Sequence, residues 1–162
     1  LDSRVEFLPI GIANHFWKWG DTKKVVDVIL EDIEKTDFVY AHFQERNNRV
    51  ECYDSVKREG IPIVESMEYK DYLRKLKTYK YCVSPEGNGI DCYRTWEALY
   101  MKTIPICKRS MLVEEFAETF PIYIVDDWKD LDVKDLEKQY DSFSWDNWNQ
   151  LDFETYCRKV GL

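Results

Sequence analysis

Residues 79–107 read YKYCVSPEGNGIDCYRTWEALYMKTIPIC, and this stretch decides the fold. The apolar run at 79–84 has the length of a buried strand, 92–101 carries apolar residues at helical spacing, and 104–107 is a second short apolar run. Between the first strand and the helix lies a turn with two glycines, Gly87 and Gly89. Strand, turn, helix and strand in about thirty residues predict parallel strands joined by a right-handed crossover.

The same alternation extends to both sides. Over 21–35, Val25, Ile29 and Ile33 recur at four-residue spacing with Val26 and Leu30 beside them, which predicts a helix with a buried stripe. A strand is expected at 38–43 and a helix at 46–59, stopped by Gly60 in the left-handed position past a helix end. A short buried strand at 61–64 tolerates Pro62 near its start. Helix 69–78, helix 111–117 and strand 122–125 continue the pattern, and the tail 132–160 reads as one or two helices with polar faces. No repeat, low-complexity stretch or linker interrupts the chain. The expected fold class is α/β: a doubly wound, mostly parallel sheet with helices on both faces.

Ligands of such sheets bind beyond the carboxyl ends of the strands. That rule selects the loops 44–49, 65–67, 85–91, 108–110 and 126–127. Arg46, Arg49, Arg94, Lys108 and Arg109 lie in or beside them, on a chain whose 23 Lys+Arg and 31 Asp+Glu give a net charge of −8. A basic edge on an acidic protein predicts a small anionic ligand.

Composition sets the outer limits. The length of 162 residues suits one domain, and 44% apolar with 33% charged residues allows a core and a solvated surface. The acidic balance argues against nucleic acid as a partner, and no apolar run approaches the ~20 residues of a membrane-spanning helix. The chain begins at Leu1 rather than Met, so targeting cannot be read from it. Cys52, Cys82, Cys92, Cys107 and Cys157 are odd in number and form no CxxC pair, and His15 and His42 are the only histidines. Neither a zinc site nor a disulfide framework is expected. Cysteines used as small core hydrophobes fit a reducing compartment and favour the cytoplasm.

Within loop 85–91, Gly87, Asn88 and Gly89 let backbone approach a ligand, and Asp91 is the expected N-cap of the following helix. Its first free N–H groups suit a diphosphate. Cys92, Trp96 and Leu99 form the core side of that helix, and Arg94 and Glu97 share the other. A cation in the first turn opposes the helix dipole, which makes Arg94 a candidate phosphate ligand. Glu97, one turn on, is placed to accept hydrogen bonds from vicinal hydroxyls such as those of a ribose. The competing reading is an ordinary solvent-exposed Arg–Glu pair and a plain turn, since two glycines alone are weak evidence.

The run from Cys82-Val83-Ser84-Pro85 through Arg94-Thr95-Trp96-Glu97-Ala98-Leu99-Tyr100 to Ile104-Pro105-Ile106 resembles the donor-binding, C-terminal lobe of GT-B-fold glycosyltransferases, nearest the exostosin-like branch. The family carries an Arg-x-x-Glu-Ala pattern, then a small-residue turn and a hydrophobic-Pro-hydrophobic strand, matched here by Arg94, Glu97, Ala98 and Pro105. The resemblance spans residues 38–128 and includes Asn48-Arg49 and the run Ile124-Val125-Asp126-Asp127-Trp128. It implies a single Rossmann-like lobe, with Glu97 at the nucleotide ribose and Arg94 at the donor diphosphate. Lys102-Thr103 departs from the family, in which that turn commonly contains glycine. Enzymes of this fold have two lobes, and one fits in 162 residues.

The reading that follows is a nucleotide-sugar-binding α/β domain over 21–162. An aromatic segment over 1–20 packs on the lobe or on an absent N-terminal partner lobe. The domain would bind a nucleotide diphosphate sugar for metal-independent glycosyl transfer to a glycan or other acceptor. Arg94 is the candidate catalytic residue, with Gly87, Asn88, Gly89, Asp91, Arg94, Glu97, Arg49 and Lys108 as ligand contacts and no cofactor. Arg49 repeats the first-turn placement of Arg94. Lys108 and Arg109 either meet phosphates or form a solvated loop. Asp126-Asp127 reads as a helix cap, and Asp130-Leu131-Asp132 matches Asp-x-Asp only formally. In 14–19, His15, Phe16, Trp17 and Trp19 either stack on a base or sugar, dock on another lobe, or form a satellite apolar cluster. His15 is a weak candidate base. Trp145, Trp148, Phe153 and Tyr156 are expected to pack on the sheet. The alternative function is a non-catalytic α/β protein-interaction module.

Overall fold

A computed structural model describes residues 7–18 and 20–152. Its elements run α1 (Thr22–Ile29), β1 (Asp37–Ala41), α2 (Val50–Arg58), α3 (Tyr69–Lys77), β2 (Tyr79–Val83), α4 (Tyr93–Tyr100), β3 (Ile104–Lys108), α5 (Met111–Ala117), β4 (Tyr123–Val125) and α6 (Val133–Gln139). The four strands form one parallel sheet in the order β1-β2-β3-β4. This is the expected α/β, Rossmann-like architecture.

Strand alternation gives each strand two apolar faces. Val39, Ala41, Tyr81, Val83, Ile104 and Ile106 face Cys52 and Val56 of α2 and the later Trp128, Leu131 and Leu136. On the opposite face, Tyr40 and Cys82 meet Val25 and Val28 of α1, Tyr72, Leu73 and Leu76 of α3, and Ala98 and Met101 of α4. That side continues with Cys107 against Trp96, Leu99, Val113 and Phe116.

The segment expected as strand 61–64 is a single bridge. Ile63 pairs with Ala41 in parallel, and the Val64 N–H donates to the Ala41 carbonyl at 2.8 Å. Pro62 has no N–H to extend the ladder. The bridge lies on the β1 edge away from β2. The chain therefore leaves β1 in one direction through α2 and returns past it through α3 to β2. With right-handed crossovers, that reversal puts α2 and α3 on opposite faces.

Helix ends also differ from expectation. Asp21 caps α1 by accepting from the N–H groups of Lys23 and Lys24. The helix stops at Ile29 rather than continuing to 35, because Lys77 Nζ donates to the carbonyls of Val28, Ile29 and Glu31 at 2.9, 2.8 and 2.5 Å. Past α4, Lys102 takes the left-handed position (φ 51°) where glycine is usual. Its N–H donates to Leu99 O and that of Thr103 to Ala98 O, the paired bonds of a Schellman ending. Lys35 Nζ donates to Met101 O at 3.1 Å and to Thr103 Oγ1 at 2.6 Å.

Of the tail expected as one or two helices, the described part folds as α6 followed by 3-10 turns at Tyr140–Ser142 and Trp148–Leu151. Trp145 and Trp148 pack on the core, with Trp148 Nε1 donating to Leu99 O at 3.0 Å. Phe153, Tyr156, Cys157 and Trp19 lie outside the described residues. Cys52, Cys82 and Cys107 are buried and Cys92 half-buried, all four as free thiols. Among the described residues no helix is long and apolar enough to cross a membrane.

Candidate functional site

The reversal of winding between β1 and β2 leaves a crevice at their carboxyl ends, where the helices that follow diverge to opposite faces. A cavity of about 840 Å³ occupies it. Its walls come from His42, Arg46 and Arg49 after β1, from Ser66, Glu68, Tyr69 and Tyr72 at the start of α3, and from loop 85–91 with Arg94 and Glu97 of α4. The structure thus brings together Gly87, Asn88, Gly89, Asp91, Arg94, Glu97 and Arg49.

The glycine loop is pinned from the α2 side. Arg49 Nε donates to Glu86 O at 2.7 Å, and Asn48 Nδ2 donates to Gly87 O at 2.8 Å. A Cβ on Gly87 would sit 3.7 Å from an Arg49 terminal nitrogen, so a side chain there would touch the guanidinium. Burial and the neighbouring Arg94 guanidinium hold the Arg49 pKa below the ordinary arginine value. Two arginines thus share one cavity wall.

Arg94 is the unusual member. Its Nε is buried with no hydrogen-bond partner, and among the described residues the side chain forms no ion pair. Buried donors in folded proteins are nearly always paired. The first turn of α4 adds further N–H groups to the same wall, because Cys92 at the N-cap position makes no side-chain cap. Asp91, the expected cap, is engaged elsewhere. Its Oδ2 accepts from Ile10 N–H at 2.7 Å and its Oδ1 from Trp96 Nε1 at 2.8 Å. Burial raises the Asp91 pKa against those hydrogen bonds.

Glu97 is not the surface partner of Arg94 that the competing reading expected. It is buried, not solvent-exposed, and already accepts the Tyr69 hydroxyl at 2.9 Å on Oε1 and the Tyr72 hydroxyl at 2.7 Å on Oε2. Burial raises its pKa, while the two hydroxyls and Arg94 pull it down. A carboxylate has about four lone-pair positions, so two remain.

Sequence reasoning missed several wall residues. His42 lies one residue beyond β1, and Tyr69 and Tyr72 fall in the helix expected at 69–78 with no role assigned to them. Lys18 enters from the N-terminal segment with Trp17, one of the aromatics considered for stacking on a base or sugar. That segment crosses the loop edge, tied by Ile10 to Asp91 and by Ile12, which packs against two core clusters. It turns back at Gly20, where a Cβ would meet Asn14 O at 2.3 Å. His15 stacks on Phe16 and is not a cavity residue.

Other candidates fall outside. Lys108 pairs with Glu51 and Asp127, both at 3.6 Å, instead of joining the cavity. Arg109 bridges Asp126 and Glu114. Asp127 caps the turn Trp128–Asp130 in a capping box with Asp130, and Asp132 caps α6. These carboxylates serve local structure. No known family model matches the chain, and no curated protein matches it.

Proposed function

We propose that the chain is the nucleotide-sugar-binding lobe of a glycosyltransferase of the GT-B type. The observation that carries this reading is Arg94, a cation with a buried unpartnered Nε in the wall of a cavity at the point where the sheet reverses its winding. Arg94, Arg49 and the uncapped start of α4 form a preorganised cradle for a diphosphate. Charge developing on the leaving nucleoside diphosphate would be stabilised by these fixed donors, without the reorganisation water requires. The spare lone pairs of Glu97 suit ribose hydroxyls. Transfer itself joins the sugar to an acceptor hydroxyl and releases the nucleoside diphosphate.

Calorimetric titration with UDP, GDP and their sugar conjugates tests this. One nucleotide should bind in the micromolar-to-millimolar range, and excess EDTA should leave the affinity unchanged. Absence of binding by every nucleotide, in a chain that melts cooperatively, would overturn the reading. Exposed Ile10 and Trp17 in the cavity wall, with exposed Leu8 and Phe16 close to them in sequence, favour a second reading, a protein-interaction module. Partner capture by a chain that binds no nucleotide would select it.

A further inference from the structure

His42 is the first residue after β1 and lines the crevice. Its Nδ1 lies 2.8 Å from the Val64 carbonyl. A carbonyl oxygen can only accept, so Nδ1 carries a proton, and in that tautomer Nε2 presents a bare lone pair. The ring is held between Tyr40 and Tyr72, with centroids 6.1 and 5.8 Å away. Tyr72 in turn donates its hydroxyl to Glu97. Among the described residues Nε2 has no hydrogen-bond partner.

The cavity wall therefore carries both donors and acceptors, with Arg94 beside Glu97 and Tyr72. Arg49, Arg94 and the start of α4 offer donors and positive charge. His42 Nε2 and the free lone pairs of Glu97 offer acceptors. Phosphate oxygens also accept, so they are unsuited to the second set, whereas hydroxyl and imide N–H groups fit it. Resting on the nucleotide-sugar reading above, we propose that His42 binds the nucleoside end of the donor. It would accept one O–H or N–H at Nε2 and so fix which way round the ligand lies.

Nitrogen-15 NMR of the histidine rings tests this on the intact chain, which has two histidines. The His42→Phe variant assigns the signals and keeps the aromatic packing. In the free protein, Nδ1 should be protonated and Nε2 bare. A bound nucleotide, UDP or GDP, should move Nε2 toward the hydrogen-bonded value without protonating the ring. Inorganic pyrophosphate should leave Nε2 in place. His42→Phe should weaken nucleotide binding by about tenfold and pyrophosphate binding by less than about twofold. A purely structural His42 would lower the melting temperature on substitution and leave Nε2 unmoved by ligand.

If calorimetry detects a bound nucleotide and Nε2 does not respond, this inference falls and the donor-lobe reading stands. If pyrophosphate shifts Nε2 as strongly as the nucleotide, or the free ring is protonated on Nε2, the orientation is wrong. If no nucleotide binds, both fall.

Discussion

The loop edge of the sheet has two ends that look alike in sequence and differ in chemistry. At the β3–β4 end, Lys108 and Arg109 find Glu51, Asp127, Asp126 and Glu114 within reach. At the β1–β2 end, the same kinds of side chain line a cavity, and among the described residues Arg94 has no carboxylate bonded to it. Both ends carry cations. Backbone direction separates them: β2, β3 and β4 follow one another the same way across the sheet, while the chain around β1 reverses. Only a reversal sends successive helices to opposite faces and opens a crevice. A cation becomes a candidate ligand contact where topology withholds its counter-ion.

The sharpest way to break that contrast is a matched pair of substitutions. Arg94→Met should lower nucleotide affinity about 100-fold, roughly 2.7 kcal/mol, as expected for two charge-assisted bonds. Lys108→Met should change it by less than about twofold. Equal losses in calorimetry would erase the distinction between the two ends.

Next in size is Glu97→Ala. It would leave the Tyr69 and Tyr72 hydroxyls unpaired in the core, lowering stability by about 2 kcal/mol in urea unfolding. Glu97→Gln should lose less than half of that, because a tyrosine hydroxyl can accept from the amide. At the other end, Asp126→Ala should leave the melting temperature unaltered, since its partner Arg109 is exposed and solvent-screened.

A third cation sharpens the comparison from the opposite edge of the sheet. Burial and the neighbouring Lys77 lower the Lys35 pKa to about 7. Unfolded lysine titrates near 10.5. Between those values the unfolded chain holds the extra proton, so this group's contribution to stability rises with pH, by about 1 kcal/mol between pH 7 and 8. The increase should flatten in Lys35→Met, and an identical pH slope for both proteins would contradict the assignment. Smallest is Lys102→Gly, which removes a left-handed lysine and should stabilise by about 0.5 kcal/mol in the same unfolding assay.

Local signals carried most of the secondary structure. Apolar runs of four to six residues became β1 to β4, and helical spacing placed α1 to α5, because both periodicities reflect burial within the element itself. What the sequence hid was tertiary. No local feature of 21–35 announces that Lys77 will take the carbonyls at the end of α1. Asp91 has the chemistry of a cap, yet Ile10 and Trp96 claim it. Arg94 and Glu97 were legible as a pair, but not the two tyrosines that bury the glutamate. His42 drew no notice as a ligand contact. Its placement depends on strand order, which no short window encodes.

The pairing that creates the crevice is also the one that joins the most distant parts of the sheet. Asp37 meets Tyr79 across forty-two residues, whereas Tyr81 meets Ile104 across twenty-three and Ile106 meets Tyr123 across seventeen. Closing the longest loop costs roughly 3 kcal/mol of chain entropy before any contact compensates. On a growing polypeptide, β1 must wait for α2, α3 and β2 to emerge. Assembly of the crevice is therefore expected late in folding, and refolding slowed by mutations near Asp37 or Tyr79 should delay nucleotide binding, where it is detected, by the same factor.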